Sequence, residues 1–230
     1  MLRSSRVHNS VMEILARRII GGTYAENELL PTEGLLCAEL AVGRSSLREA
    51  VRVLVDKGLL VVKPRIGTRV MGAENWKQFD PDIIAWSANV KPDPNFLRSL
   101  FEVRTIVEPA AAELAARRAS GSDIANIESG YNDMVAGWQA QDLTRLVEAD
   151  IRFHKAILES TKNPVLMELG SLIEAALRSA FKLTNESSKA PVEALEAHKA
   201  LLEAIRLRDE EVARKNTLEI LKAAQLDLPI

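Results

Sequence analysis

Hydrophobic positions recur at helical spacing in three short segments near the N-terminus. Each segment is bounded by capping residues, with Thr32 and Gly43 preceding the second and third, and Gly21 and Gly58 ending the first and third. The apolar positions are Val11, Ile14, Leu15 and Ile19 in the first segment, Leu35, Leu36 and Leu40 in the second, and Leu47, Ala50, Val51 and Leu54 in the third. The pattern predicts three helices in quick succession.

The next segment changes from helical spacing to two short β-prone runs. Residues 59–62 and 68–71 flank the turn-forming segment 63–67, which contains a proline and a glycine. This arrangement predicts a β-hairpin. Three helices and a hairpin within about 70 residues outline a winged helix-turn-helix, so we predict such a domain over residues 1–72.

Beyond the hairpin the chain is predicted to be all-α. Residues 73–93 are interpreted as a linker with a short helix over 82–89, and after Pro94 every long window has helical period. Short connections favour an antiparallel helical bundle over 94–230. Its helices are expected near 95–118, 121–139, 142–160, 163–183, 191–208 and 209–224.

Charge separates the two predicted domains. Residues 1–72 hold 11 Lys+Arg against 7 Asp+Glu, whereas the remainder holds 19 against 25. A basic module joined to an acidic one suggests that the first meets a polyanion. No uncharged stretch exceeds eight residues, which excludes a transmembrane helix, and the charged N-terminus does not resemble a secretory signal. We therefore expect a cytoplasmic protein.

The third helix presents a ladder of basic residues away from its leucines. Arg44, Arg48 and Arg52 are four residues apart and share one face, with Ser45 and Ser46 in the first turn. Such a helix start can hold phosphate while guanidinium groups reach base edges in a major groove. The hairpin adds the candidate DNA contacts Lys63, Arg65, Gly67 and Arg69. The ordinary alternative is a solvated charged face.

Ionisable residues interrupt apolar stripes in the helical domain. Asp150 and His154 lie four residues apart on one stripe, while His198 and Arg104 interrupt two others. Buried charges cost several kcal/mol unless they are paired. One explanation is an internal salt-bridge network of Arg104 with Asp150 and the histidines, in which Asp150 accepts from Arg104. The other is a polar cavity that binds an anionic small molecule, with a divalent metal held by Asp150, His154 and His198.

The first domain resembles a known family. The stretch from Gly22 to Leu59 reads G-x-x-x-x-x-x-L-L-P-T-E-x-x-L-x-x-x-L-A-V-G-R-S-S-L-R-E-A-V-x-x-L-x-x-K-G-L and is followed by R-x-G-T-x-V. It is similar to the DNA-binding domain of GntR-type bacterial regulators. The resemblance implies operator contacts by Arg44, Ser45, Ser46, Arg48 and Gly67. Two positions depart from the common pattern: Gly34 stands where some members have a DNA-contacting arginine, and Gly43 where many have Ser or Thr.

The helical domain resembles the effector-binding FCD domain of the FadR-type branch. The matching stretches are E-V-R-x-x-V-E-P-A-A-A, A-D-I-R-F-H-x-A-I, N-P-V-L and E-A-H-K-A-L-L-E-A-I. Many members bind zinc or a similar ion through an Asp, a His four residues later, and two further histidines. Asp150, His154 and His198 match three of these ligands, but the fourth position falls at Ile220, with Asn216 one turn earlier as a substitute. Asn163 joins Arg104 and these ligands as an implied effector-binding residue.

The sequence therefore predicts a homodimeric, ligand-responsive transcription regulator that recognises a palindromic operator. The segment 76–86 and the helices after it resemble repressors of sugar-acid catabolism, galactonate catabolism among them. We expect a repressor that a small hydroxy-carboxylate releases from DNA. Two alternatives stay open at this stage: a helical metalloenzyme using Asp150, His154 and His198, and a DNA-binding protein whose helical domain only dimerises.

Overall fold

The chain divides into two compact units, residues 1–91 and 92–230. The computed structural model describes residues 2–90, 94–183 and 192–226. Within these ranges no helix is both long and apolar enough to cross a membrane.

The first unit contains the predicted three helices and hairpin. Its elements are α1 (Leu2–Ile20), α2 (Glu33–Glu39), α3 (Arg44–Asp56), β1 (Leu60–Lys63) and β2 (Gly67–Val70). The strands pair antiparallel, with Leu60 opposite Val70 and Lys63 opposite Gly67. Helix α1 starts well before the first predicted apolar position, Val11. The winged helix-turn-helix prediction is confirmed.

A small apolar core orients α3 and the hairpin. Leu15 of α1 and Leu47 and Leu54 of α3 are almost completely buried in it. The segment before α2 also joins the hairpin, because the amide of Leu30 donates to the carbonyl of Thr68 at 2.8 Å. The hairpin is therefore held by the apolar core and by the segment before α2. Helix α3 keeps its basic face outward.

The segment after the hairpin ends in a helix that packs on the first unit. Helix α4 (Pro81–Asn89) follows the N-cap residue Asp80, whose carboxylate caps it by accepting from the amide of Asp82 at 2.9 Å. The ammonium of Lys57 lies 2.7 Å from Asp80 and 2.8 Å from Asp82. Trp86 is buried in the apolar core of the first unit, and its ring centroid lies 5.7 Å from the ammonium nitrogen of Lys57. Residues predicted as a linker and a short helix thus extend the first unit.

The second unit is all-α over its described residues, as predicted. Its helices are α5 (Pro94–Arg118), α6 (Gly121–Gln139), α7 (Leu143–Ser160), α8 (Pro164–Glu168), α9 (Gly170–Leu183), α10 (Val192–Arg206) and α11 (Glu210–Leu226). Ile127, Phe153, Leu201 and Ile205 lie at the centre of its main core, each almost completely buried.

The prediction of a single helix over 163–183 is wrong, because the structure has two helices in this range. Helix α8 ends at Glu168, and the amide of the next residue, Leu169, donates to the carbonyl of Leu166 at 3.1 Å. The carbonyl of Leu169 then accepts from Leu172 at 3.0 Å, so α9 begins with the same tighter spacing. These three-residue bonds interrupt the α-helical ladder. Apolar residues keep helical spacing on both sides, so the pattern conceals the break.

Two glycines of α6 allow close contact with α7. A Cβ at Gly130 would lie 3.0 Å from the Cα of Phe153, and one at Gly137 would lie 2.9 Å from the amide nitrogen of Leu146. We expect Gly130→Ala and Gly137→Ala each to cost about 1–3 kcal/mol of unfolding free energy, since backbone must move. Gly121→Ala is the matched control, because no atom lies within 4 Å of its added methyl.

Urea denaturation followed by circular dichroism measures these differences. Equal stabilities for the Gly130→Ala and Gly121→Ala variants would show that α6 and α7 separate at low cost.

Candidate DNA-binding surface and ligand site

Helix α3 buries its leucines and exposes its arginines. Leu47 and Leu54 are almost fully buried, whereas the side chains of Arg44 and Arg48 are 76% and 71% exposed. Ser45 is exposed and Ser46 half-buried in the first turn. Gly43 occupies the N-cap with extended backbone and supplies no side-chain cap. The first turn thus presents amides, hydroxyls and guanidinium groups together, the groups that bind DNA phosphates and base edges.

An acidic residue that the sequence pattern did not reveal lies beside these arginines. Glu33, the first residue of α2, accepts from Nε of Arg48 with both oxygens at 3.1 Å and lies 4.0 Å from Nε of Arg44. Such exposed pairs contribute at most about 1 kcal/mol. DNA can therefore displace this carboxylate or leave it to orient the guanidinium groups. Its place in the P-T-E stretch, at the start of the neighbouring helix, is the sequence feature that could have revealed it.

The hairpin tip presents further basic groups. Lys63 and Arg65 are exposed there, and the carbonyl of Lys63 accepts from the amide of Ile66 at 3.1 Å. Arg65 has φ of 64° and Gly67 has φ of 129°. A positive φ is uncommon for arginine, whereas glycine adopts it readily. Arg69 is half-buried beside Leu29, so it is less accessible than the two basic residues at the tip.

The second unit gathers three of the predicted ligands at one point. Oδ1 of Asp150 lies 3.4 Å from Nε2 of His154 and 3.2 Å from Nε2 of His198. Helix α7 carries the first two residues one turn apart, and α10 carries the third. Both histidines are buried, at 3% and 6% exposure. The inward stripes of the sequence analysis therefore do converge in the core.

The hydrogen bonds at the opposite ring nitrogens direct both Nε2 atoms into this cluster. Nδ1 of His198 lies 2.6 Å from the carbonyl of Ala194. Nδ1 of His154 lies 2.7 Å from Oε2 of Glu108. Oδ1 of Asp150 and Nε2 of His198 are buried without a hydrogen-bond partner. The cluster is therefore a group of potential ligand atoms rather than a satisfied hydrogen-bond network.

The partner of Arg104 is Glu108, and the expectation that Asp150 accepts from Arg104 is wrong. Nε of Arg104 donates to Oε1 of Glu108, one turn along α5, and Nη2 lies 3.5 Å from Oε2. Both residues are buried, at 2% and 4% exposure. Nη1 of Arg104 has no hydrogen-bond partner. The i to i+4 spacing of Arg104 and Glu108 within the E-V-R-x-x-V-E stretch could have revealed this pair.

These contacts shift the pKa values of the buried ionisable groups. Burial would raise the pKa of Glu108, but Arg104 and His154 lower it to about 2. Burial would lower the pKa of His154, but Glu108 and Asp150 raise it to about 9. The pKa of Asp150 is lowered by the two histidines despite its burial. The raised pKa favours a protonated His154 at neutral pH.

Helix α11 contributes no charged group to this site. Ile220, where the resemblance implies a fourth ligand, is buried in the main apolar core. The hydroxyl of Thr217, the residue after the suggested substitute Asn216, donates to the carbonyl of Ala213 at 2.9 Å. Thr217, Glu108 and His154 line a cavity of about 10 Å³, room for about one water molecule.

Asn163 stands apart from the cluster in its contacts. Its side-chain oxygen caps α8 by accepting from the amides of Val165 at 3.0 Å and Leu166 at 3.4 Å. The structure therefore brings together Asp150, His154 and His198, with Arg104 joined to them through Glu108.

Comparison with protein families agrees with both units. Residues 8–70 match the model of "Bacterial regulatory proteins, gntR family", and residues 99–223 match the FCD domain. The matched ranges contain the exposed face of α3 and the buried cluster of the second unit, respectively.

Similar proteins are transcription regulators. The galactonate operon transcriptional repressor of Escherichia coli K12 is 38% identical over 91% of each chain. The Glc operon transcriptional activator of the same strain is 31% identical over 76% of this chain and 69% of that one. The solved structure of Streptococcus agalactiae GntR is 25% identical, with a TM-score of 0.53, covering 95% of this chain and 99% of that one. The metalloenzyme alternative has no support among them, and the chain belongs to the gntR family of bacterial transcription regulators that carry an FCD domain.

Proposed function

We propose that this regulator is a repressor of a sugar-acid or other small hydroxy-carboxylate operon, and that its effector releases it from the operator. The convergence of Asp150, His154 and His198 beside a buried Arg104 carries the proposal. A helical domain that only dimerises has no need of buried ligand atoms without partners. The 38% identity to a galactonate operon repressor supports the effector class and the sign of regulation.

The first domain, residues 1–72, binds DNA in this proposal, and 94–230 binds the effector and dimerises. Arg44, Ser45, Ser46 and Arg48 meet the major groove, while the hairpin tip with Lys63, Arg65 and Gly67 meets the adjacent backbone. One module makes few base contacts, so a homodimer on a palindromic operator supplies the specificity. The protein acts where the DNA is, in the bacterial cytoplasm.

The spacing of Asp150 from each histidine fits a divalent ion, and the three ligand atoms all lie within 4.8 Å of one another. Ligand atoms bound at 2.0–2.1 Å around a tetrahedral ion lie about 3.3 Å apart. The carboxylate oxygen of Asp150 lies 3.2 Å and 3.4 Å from the two histidine nitrogens. Oxygen and imidazole ligands together suit zinc or a similar ion. Because Ile220 supplies no ligand, water or the effector completes the coordination shell, and the ion binds less tightly than with four protein ligands.

Formal charges in the core link the ion to a carboxylate. With a protonated His154, the charges of Arg104, Glu108, His154 and Asp150 sum to zero. A divalent ion that displaces the His154 proton leaves one net positive charge in a buried site. One carboxylate restores neutrality, which favours an acidic effector over a neutral sugar. Such an acid accepts from Arg104 while a neighbouring hydroxyl meets the ion.

Release from DNA requires that the effector distinguish two states of the dimer. A ligand with equal affinity for both states does not shift the equilibrium between them, however tightly it binds. The site involves α5, α7 and α10 together, and its cavity holds about one water molecule, so an effector that enters must move these helices and thereby favours one arrangement of the bundle. That arrangement is the one with weaker operator affinity.

Metal binding is testable by thermal stability. At an ion concentration ten times Kd, linkage adds about 1.4 kcal/mol, which raises Tm by roughly 3–6 °C in a chain of this size. Asp150→Asn should abolish the shift, whereas Asp133→Asn should retain it because Asp133 lies on the surface paired with Arg152. Thermal shift with Zn²⁺, Mn²⁺ and a chelator, alongside elemental analysis, measures this. A wild-type protein without bound ion or shift would show the cluster to be metal-free.

A further inference from the structure

Glu108 connects the ligand cluster to the buried arginine. Its Oε1 accepts from Nε of Arg104, and its Oε2 lies 2.7 Å from Nδ1 of His154. The carboxylate is buried, and within the described residues its ion pairs are those with Arg104 and His154. Oε1 therefore serves Arg104, while Oε2 serves mainly His154 and makes only a long contact, 3.5 Å, with Nη2 of Arg104. The inference below rests on the metal site proposed above.

The two histidines of the cluster are oriented by different means. His198 is held by a backbone carbonyl, that of Ala194 on its own helix, so its orientation follows from the fold of α10. His154 is held by a side chain on another helix, α5. An imidazole that donates Nδ1–H must use Nε2 as its ligand atom. The ligand atom of His154 is thus determined by one replaceable residue.

We propose that Glu108 is a positioning residue that orients His154 for metal binding and holds Arg104 in the same site. Its first oxygen occupies Nε of Arg104, which leaves Nη1 without a partner and Nη2 only weakly engaged. Its second oxygen fixes the ring of His154. The metal cluster and the anion-binding group therefore share one support, and loss of that support weakens the ion site without removing any ligand.

Glutamine is the informative replacement. Glu108→Gln preserves volume, but its amide offers one acceptor and one donor in place of two acceptors. If the amide oxygen accepts from Arg104, its NH₂ group faces Nδ1–H of His154, and the imidazole must rotate or change tautomer. Support of this kind contributes 10–100-fold in metal affinity in other proteins. We expect Glu108→Gln to weaken metal binding by about that factor.

The matched control is Glu113→Gln on the same helix. Glu113 is partly exposed and pairs with Arg214 at 3.2 Å, outside the cluster. Metal-free full-length protein is titrated with Co²⁺ and followed by its visible absorption, and with Zn²⁺ by calorimetry. The wild type and Glu113→Gln should bind one equivalent with equal affinity. Glu108→Gln should bind one equivalent more weakly, with an altered cobalt spectrum.

A spectroscopic readout separates positioning from a merely structural effect. The chain has three histidines, so ring nitrogen resonances of the zinc-saturated protein are easily assigned. The wild type should show His154 protonated at Nδ1 and coordinated through Nε2, and Glu108→Gln should lose this pattern while His198 retains its own. If Glu108→Gln only lowered thermal stability, the resonance patterns of His154 and His198 would both stay unchanged.

The outcomes distinguish this inference from the function on which it rests. Equal metal affinity and an unchanged His154 pattern in Glu108→Gln would overturn the positioning role and leave the metal site standing. Failure of the wild type to bind any of the ions would overturn both. Weaker binding together with a changed His154 pattern supports the inference.

Discussion

Replacing Arg44 and Arg48 together with alanine is expected to remove specific operator binding. Each guanidinium that reads a guanine contributes about 1–3 kcal/mol, so the pair contributes about 2–6 kcal/mol, or roughly 30- to 20,000-fold in affinity. Both side chains are mostly exposed on α3, and their contact with Glu33 is a surface ion pair of small energy. Fold stability should therefore change by less than about 1 kcal/mol.

The measurement is fluorescence anisotropy at fixed salt, with an operator selected from random duplexes by the wild-type protein. Arg152→Ala is the control, because Arg152 is an exposed arginine of the helical unit, paired with Asp133. Wild-type affinity in the double variant would exclude α3 as the reading helix. Substituting Lys63, which contacts phosphate in this proposal, should instead weaken all sequences alike and reduce the salt dependence.

The fold of the first unit was predictable because local patterns and tertiary packing agree there. The leucines of α3 face the core as their spacing requires, and Gly43 and Gly58 bound the helix where expected. The pairing of Glu33 with Arg48 was not predicted, since it depends on the angle between α2 and α3. Helical period alone contains no information about that angle.

The ligand site was predicted from ionisable residues at apolar positions, whereas the contacts between its side chains were not predicted. Arg104, Asp150, His154 and His198 interrupt apolar stripes, and burial of Arg104 and both histidines follows from those stripes. Which residues pair is a question of rotamers and helix rotation. Arg104 therefore forms its ion pair with Glu108, one turn away on its own helix, rather than with Asp150 on α7.

Replacing Arg104 with methionine is expected to abolish effector response while DNA binding persists. Glu108 occupies Nε, which leaves the Nη1 and Nη2 end of the guanidinium for a carboxylate in bidentate geometry. Loss of one partner from a buried charge pair costs about 2–5 kcal/mol in binding, or roughly 30- to 5,000-fold. Because Arg104→Met also leaves Glu108 beside a neutral side chain, it should lower fold stability as well.

Arg104→Lys separates recognition from stability. Lysine retains the positive charge that Glu108 requires, but it lacks the planar fork, so the protein should fold and still bind its effector more weakly by about 1–3 kcal/mol. Calorimetry with a panel of sugar acids and matching sugar alcohols measures this, with Arg98→Met as the control because Arg98 is exposed on the same helix. Since the alcohols lack a carboxylate, they should not bind. Equal affinity of the wild type and Arg104→Lys for the true effector would assign Arg104 to the stability of the bundle, because a guanidinium that recognises the acid cannot be replaced by an ammonium without loss.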